Sequence, residues 1–114
     1  RFAALLARNS GSGGPFVQPQ RLIETATLGG ARALGLESEI GSLEPGKQAD
    51  LIVVGLGRVA QQPVHDVHST LVFATGARDV RLTVVGGDEI ARDGATLSVD
   101  AGEIGSRFGA LRQK

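Results

Sequence analysis

Apolar positions recur along the chain with two different periods, and the change from one to the other falls near residue 40. In the first third the spacing is helical. Phe2, Leu5 and Leu6 share one face of a short stretch that runs out at Asn9, Ser10 and the glycines at 11, 13 and 14, which predicts the tail of a helix entering a flexible loop. Pro19 suits the first turn of a new helix, where a missing N–H costs nothing, and Leu22, Ile23 and Ala26 form its apolar stripe. Gly29 and Gly30 interrupt this stripe and predict a bend between two short helices. The second, Ala31 to Leu34, closes on Gly35, a residue that takes the left-handed conformation cheaply.

Beyond residue 40 the pattern is that of strands and turns. Pro45-Gly46 supplies the two central residues of a type II turn, and Leu51-Ile52-Val53-Val54 is a compact run typical of a buried strand. Val80, Leu82 and Val84 alternate with Arg81 and Thr83, as in a strand with one buried face; Gly86-Gly87 is a hairpin signal before Asp88 to Ala91, and Asp93-Gly94 a second one. Asp100 and Glu103 have capping-box spacing ahead of Ile104, Phe108 and Leu111, which predicts a closing amphipathic helix. No internal repeat is present. The pattern as a whole gives an α+β chain, with helices at both ends flanking a small β-sheet.

Composition narrows the classes. At 114 residues the chain allows one domain and excludes a complete (β/α)8 barrel, which needs about 250. It contains no Met and begins at Arg1, which predicts a piece of something larger. Twelve basic and twelve acidic residues are spread without blocks of one sign, so neither nucleic acid nor an anionic membrane is an expected partner. With no Cys there is no disulfide framework, thiolate metal site or cysteine nucleophile, and the cytoplasm is the expected compartment. The apolar runs Leu51 to Val54 and Leu71 to Ala74 are too short to cross a bilayer.

Candidate chemistry is sparse. Gly41-Ser42-Leu43-Glu44-Pro45-Gly46-Lys47 satisfies G-x-x-x-x-G-K, but Gln48 stands where a P-loop needs Ser or Thr for Mg²⁺, and the segment opens a strand instead of a helix. A structural turn is the expected reading. His65 and His68 are close enough on a helix to share a face, yet two imidazoles do not make a zinc site, and neither Asp66 nor Ser69 is placed for a nucleophilic triad. Glu37 and Glu39 point to one side if their stretch is extended, and Asp88-Glu89 neighbour a turn; a solvated face accounts for both pairs. Asp50, ahead of the apolar run, is expected to cap or bond a nearby turn. No catalytic, cofactor-binding or metal-binding residue is assigned.

Ala26-Thr27-Leu28-Gly29-Gly30-Ala31-Arg32-Ala33-Leu34-Gly35-Leu36, followed by the run from Ile40 through Pro45-Gly46-Lys47-Gln48-Ala49-Asp50 to Val54, resembles the C-terminal signature of the amidohydrolase superfamily. His65 through Phe73 and Val80 through Gly87 are similar to closing segments of the branch that holds guanine and 8-oxoguanine deaminases, adenosine-derivative deaminases and triazine hydrolases. Gly55 and Gly86 depart from the pattern, standing where Asp is usual. The resemblance implies that residues 1–36 are the terminal helical part of a catalytic barrel, that residues 37–99 complete a small β-sandwich lobe built from both ends of the polypeptide, and that residues 100–114 are a C-terminal amphipathic helix.

The chemistry implied is hydrolytic deamination of a purine, pyrimidine or triazine-like ring by water activated on one divalent metal, zinc or iron. The family holds that metal with a His-x-His pair, a further His and an Asp, helped by a Glu and another His. None of these motifs occurs here and the Asp should precede Arg1, so this segment is expected to bind no cofactor and to be inactive alone. Its expected partners are the remainder of the barrel and, in the parent, a small heterocyclic substrate; a homo-oligomer is compatible. Two alternatives stand: a cyclic-amide hydrolase of the same superfamily, and an autonomous non-enzymatic β-module for folding or subunit contact.

Overall fold

In a computed structural model of the chain, the described residues are Leu5, residues 17–97 and residues 100–111. The helix tail expected over Arg1 to Arg8 and the loop over Asn9 to Gly14 lie outside them, apart from Leu5, which is helical. Pro19 occupies the first position of helix α1 (Pro19–Glu24), directly after Gln18 in extended conformation. The chain then widens into a π-helical turn, Thr25–Gly29, before resuming as α2 (Gly30–Leu34).

The bend expected at Gly29-Gly30 is not there. Both glycines hold right-handed helical angles, with φ of −64° and −62°. The irregularity lies in the ladder instead, where the hydroxyls of Thr25 and Thr27 donate to the carbonyls of Arg21 (2.7 Å) and Ile23 (2.9 Å) and compete with regular backbone pairing. A Cβ at Gly29 would stand 3.3 Å from the Glu24 carbonyl, so glycine accommodates the wider turn. Helix α2 ends as its sequence predicts. Gly35 is left-handed at φ 70°, and the N–H groups of Leu36 and Gly35 return to the carbonyls of Ala31 (2.9 Å) and Arg32 (3.1 Å), a Schellman closure.

Four strands form one antiparallel sheet in chain order: β1 (Leu51–Val54), β2 (Val80–Val85), β3 (Asp88–Arg92) and β4 (Ala95–Thr96). Both hairpins follow from their turn residues. Gly86 and Gly87 have φ of 60° and 91°, and Asp93 and Gly94 have 48° and 85°, the positive pairs that two-residue turns between twisted strands require. Between β1 and β2 lie a 3₁₀ turn (Val59–Gln61), a short helix α3 (Val67–Ser69), a second π turn (Thr70–Ala74) and another 3₁₀ turn (Ala77–Asp79). Helix α1 packs on α3 and its π turn. The chain closes in α4 (Ala101–Leu111), whose first N–H groups, those of Gly102 and Glu103, donate to the Asp100 carboxylate at 2.8 and 3.4 Å. The side chains of Phe108 and Leu111, two of the three expected to form its apolar face, lie outside the described residues.

The core among the described residues is small. Ala31 is the one buried apolar side chain, whereas Leu34, Leu43 and Val59 are largely exposed. The β1 run expected to be buried is covered only at its ends: Leu51 and Val54 are half-buried, while Ile52 and Val53 are exposed. The apolar pattern correctly gave the strand, but the second layer that would cover its middle is not supplied by the described residues.

Candidate functional site

The segment with the sequence of a phosphate loop folds as a chain reversal stapled from inside. Glu44, Pro45, Gly46 and Lys47 close a turn through Lys47 N–H to the Glu44 carbonyl (3.2 Å), with Gly46 at φ 94°. The Lys47 ammonium turns inward, donating to the Glu37 carbonyl (2.6 Å) and the Ser42 hydroxyl (2.7 Å), and is only 12% exposed. A lysine spent on a carbonyl and a hydroxyl has little left for phosphate, and strand β1 follows, not a helix. Gly41 at the front of the loop has φ 94° and lies against α2, so closely that a Cβ there would stand 2.7 Å from the Ala31 Cβ and 3.0 Å from the Leu28 Cα. The glycine is required for that contact.

Asp50 bonds a turn, as expected, but one far away in sequence. Its Oδ1 accepts the Gly86 N–H at 2.7 Å, and the neighbouring Gly87 N–H donates to the Ala49 carbonyl at 3.2 Å. The residue ahead of β1 thus fastens the β2–β3 hairpin.

The two histidines do not share a helix face. Helix α3 begins only at Val67, with Asp66 as its cap, and His65 lies before it. Asp66 Oδ2 accepts the Ser69 N–H at 2.8 Å while Oδ1 stands 3.3 Å from His68 Nδ1. Ser69 hydrogen bonds, through side chain and backbone, hold the Asp66 carboxyl down at about 2, with a smaller contribution from His68. Both carboxylate oxygens are therefore engaged in the cap. Among the described residues no three of His, Cys, Asp and Glu gather as a set that could hold a metal ion, and the donors at 65, 66 and 68 do not fit the catalytic metal that the resemblance implies.

The two carboxylate pairs, Glu37 with Glu39 and Asp88 with Glu89, form no site. Glu37 and Glu39 are not on an extended stretch, because the N–H groups of Glu39 and Ile40 both return to the Leu36 carbonyl (2.9 and 3.0 Å). Glu89 pairs with Arg92, whose hydrogen bonds lower its carboxyl below the usual range. Asp88 is exposed.

The connection between β1 and β2 holds buried polar side chains, Gln61 and Asp79 among them. Gln61 is buried, accepting from the Arg58 N–H (2.9 Å) and donating to the Gly55 carbonyl (3.1 Å). Asp79 is buried too and takes the Gly76 N–H at 2.9 Å. The signal for Asp79 was a carboxylate three residues after a glycine, the spacing of a local cap; nothing in the sequence marked Gln61.

A helix closed by glycine, a Pro-Gly reversal and an aspartate-fastened strand are scaffold elements, and together with the sheet they make a mixed helix-and-sheet segment. The sequence profile of the amidohydrolase family matches residues 1–90, and the chain belongs to that family. It is 46% identical over 105 residues to a 5-methylthioadenosine/S-adenosylhomocysteine deaminase of Moorella thermoacetica, covering 91% of this chain and 24% of that protein. It is 38% identical to an S-triazine hydrolase of Gordonia rubripertincta, over 82% of this chain and 20% of that one. Among solved structures, a zinc-bound adenosine deaminase from Xanthomonas campestris superposes with a TM-score of 0.89 at 34% identity, covering 97% of this chain and 25% of that one. The chain spans about a quarter of the length of these relatives. No helix among the described residues is long and apolar enough to cross a membrane.

Proposed function

We propose that this chain is the C-terminal portion of a metal-dependent aminohydrolase that breaks a carbon–nitrogen bond on a purine, pyrimidine or triazine-like ring with water, releasing ammonia. The observation that carries the reading is the 46% identity, over nine-tenths of this chain, to a protein named as a 5-methylthioadenosine/S-adenosylhomocysteine deaminase. In this reading residues 1–36 belong to the end of the catalytic barrel, residues 37–99 to a β-sandwich lobe and residues 100–114 to a terminal helix. The described residues contribute scaffold: Gly41 on Ala31 docks the reversal on the helix, Lys47 staples it, and Asp50 fastens the sheet. The divalent metal, zinc or iron, is held by residues of the whole protein other than His65, Asp66 and His68. Among the described residues, one buried apolar side chain against many exposed ones supports a segment that packs on further structure over an autonomous module.

The test is an ammonia-release assay of the full-length protein on 5-methylthioadenosine, S-adenosylhomocysteine, adenosine and an amino-triazine. Turnover of one of them, lost with a chelator and restored by zinc or iron, is the expected result. A metal-loaded, folded protein that releases no ammonia from any but opens a cyclic amide would replace this reading with the cyclic-amide hydrolase. Residues 1–114 alone should release none.

A further inference from the structure

Beside the start of β2 lies a cleft of about 350 Å³ lined by Gly55, Gly57, Arg58, Arg78, Asp79 and Arg81. Apart from the two glycines, every side chain on it is charged, and three of the four are guanidiniums. In a chain whose twelve bases balance twelve acids, this is a local concentration of positive charge. Arg81 pairs with Asp93 at 2.9 Å and Arg58 lies 3.5 Å from Asp79, while Arg78 pairs with no carboxylate among the described residues. Three guanidiniums against two carboxylates leave a positive charge at the cleft. Gly55 lets Arg81 lie close, since a Cβ there would stand 3.3 Å from Arg81 Nε.

Asp79 adds a second, independent observation. Its side chain is 9% exposed and its Oδ2 is used by the Gly76 N–H, but its buried Oδ1 makes no hydrogen bond, the Arg58 guanidinium standing off from it at 3.5 Å. A buried acceptor without a donor is costly and calls for a partner. A ligand satisfying both features must offer anionic oxygens to guanidinium forks and one O–H to a carboxylate. Hydrogen phosphate does both at neutral pH; sulfate, fully ionised, offers the oxygens only.

We infer that the cleft between Arg58, Arg78 and Arg81 is a binding site for a phosphate group, with the arginines holding its oxygens and Asp79 Oδ1 accepting its O–H. A phosphate monoester offers the same oxygens, but with its second pKa near 6 it has largely lost its O–H at neutral pH, so the free ion is the ligand that matches both features.

Calorimetric titration of the full-length protein at pH 7 with inorganic phosphate, sulfate and a small sugar phosphate tests this. Saturable binding of inorganic phosphate, tighter than that of sulfate, is expected. Arg78→Gln should weaken it about tenfold, the effect of losing one charge-assisted contact, and Asp79→Asn, which keeps an oxygen for Gly76, should remove the preference over sulfate. The sugar phosphate, mostly without an O–H at this pH, should bind more weakly than the free ion; a sugar phosphate that binds as tightly would overturn the role given to Asp79. No saturable binding of phosphate or sugar phosphate, equal binding of sulfate, or an Arg78→Gln protein that binds as well as the parent would each overturn it. Arg78 is exposed, so its replacement should leave the fold intact, and an unchanged circular-dichroism melt verifies this; if Asp79→Asn fails to fold, the phosphate-to-sulfate ratio of the unsubstituted protein decides.

Discussion

The Asp50 carboxylate accepts the Gly86 N–H at 2.7 Å across 36 positions of sequence, so the residue that leads into β1 also pins the tip of the β2–β3 hairpin. Gly86 is one of two glycines with positive φ in that turn, and a side-chain acceptor beside it fixes the hairpin against the strand it must pair with. Asp50→Ala should therefore destabilise the fold by about 1 kcal/mol, less than most hydrogen bonds to a charged group because the pair is exposed. Denaturant unfolding measures the loss, and hydrogen exchange at the Gly86 amide should quicken. Asp50→Asn, which keeps the acceptor oxygen, should lose less.

Gly41 and Gly46 share the same φ of 94° but not the same surroundings. A methyl at 46 meets nothing within 4 Å, whereas at 41 it overlaps Ala31. Gly46→Ala should cost about 1 kcal/mol for the backbone alone, and Gly41→Ala about 2–4 kcal/mol, overpacking being added to it. Thermal melts of the two variants give the comparison; equal losses would mean that the contact with Ala31 is loose.

Lys47 staples the reversal from inside. Lys47→Met removes the donor to the Glu37 carbonyl and the Ser42 hydroxyl and should destabilise by about 1–2 kcal/mol. Nucleotide titration should give the same result for the parent and the variant, as the loop lacks the helix N-terminus that holds phosphates.

Asp66 predicts an acid-side pH effect. Its folded carboxyl is held at about 2, below the unfolded aspartate value near 3.9, so the folded state binds this proton less readily than the unfolded one. The cap's contribution is complete above pH 4 or so and is lost as pH falls toward 2. Carbon-13 titration of the Asp66 carboxyl should show the low midpoint, and Ser69→Ala should raise it.

Local chemistry wrote much of this chain into its sequence. Pro19 at a helix start, Gly35 at a helix end, Pro45-Gly46 at a reversal and two hairpins at Gly86-Gly87 and Asp93-Gly94 are all decided by φ preferences of single residues, and each is found where its residues stand. The family signature was legible for the same reason, since it consists of these turn residues at fixed spacing. Tertiary structure decided what depends on residues distant in sequence. The π turn kept Gly29 and Gly30 helical because threonine hydroxyls reshaped the ladder; Asp50 found its partner at Gly86; and Arg58, Arg78 and Arg81 came to one cleft only when Gly55 N–H met the Asp79 carbonyl at 2.8 Å and Gln61 closed the loop after β1 on itself. A side chain's type is fixed by the sequence, but its neighbours are fixed by the path of the whole chain.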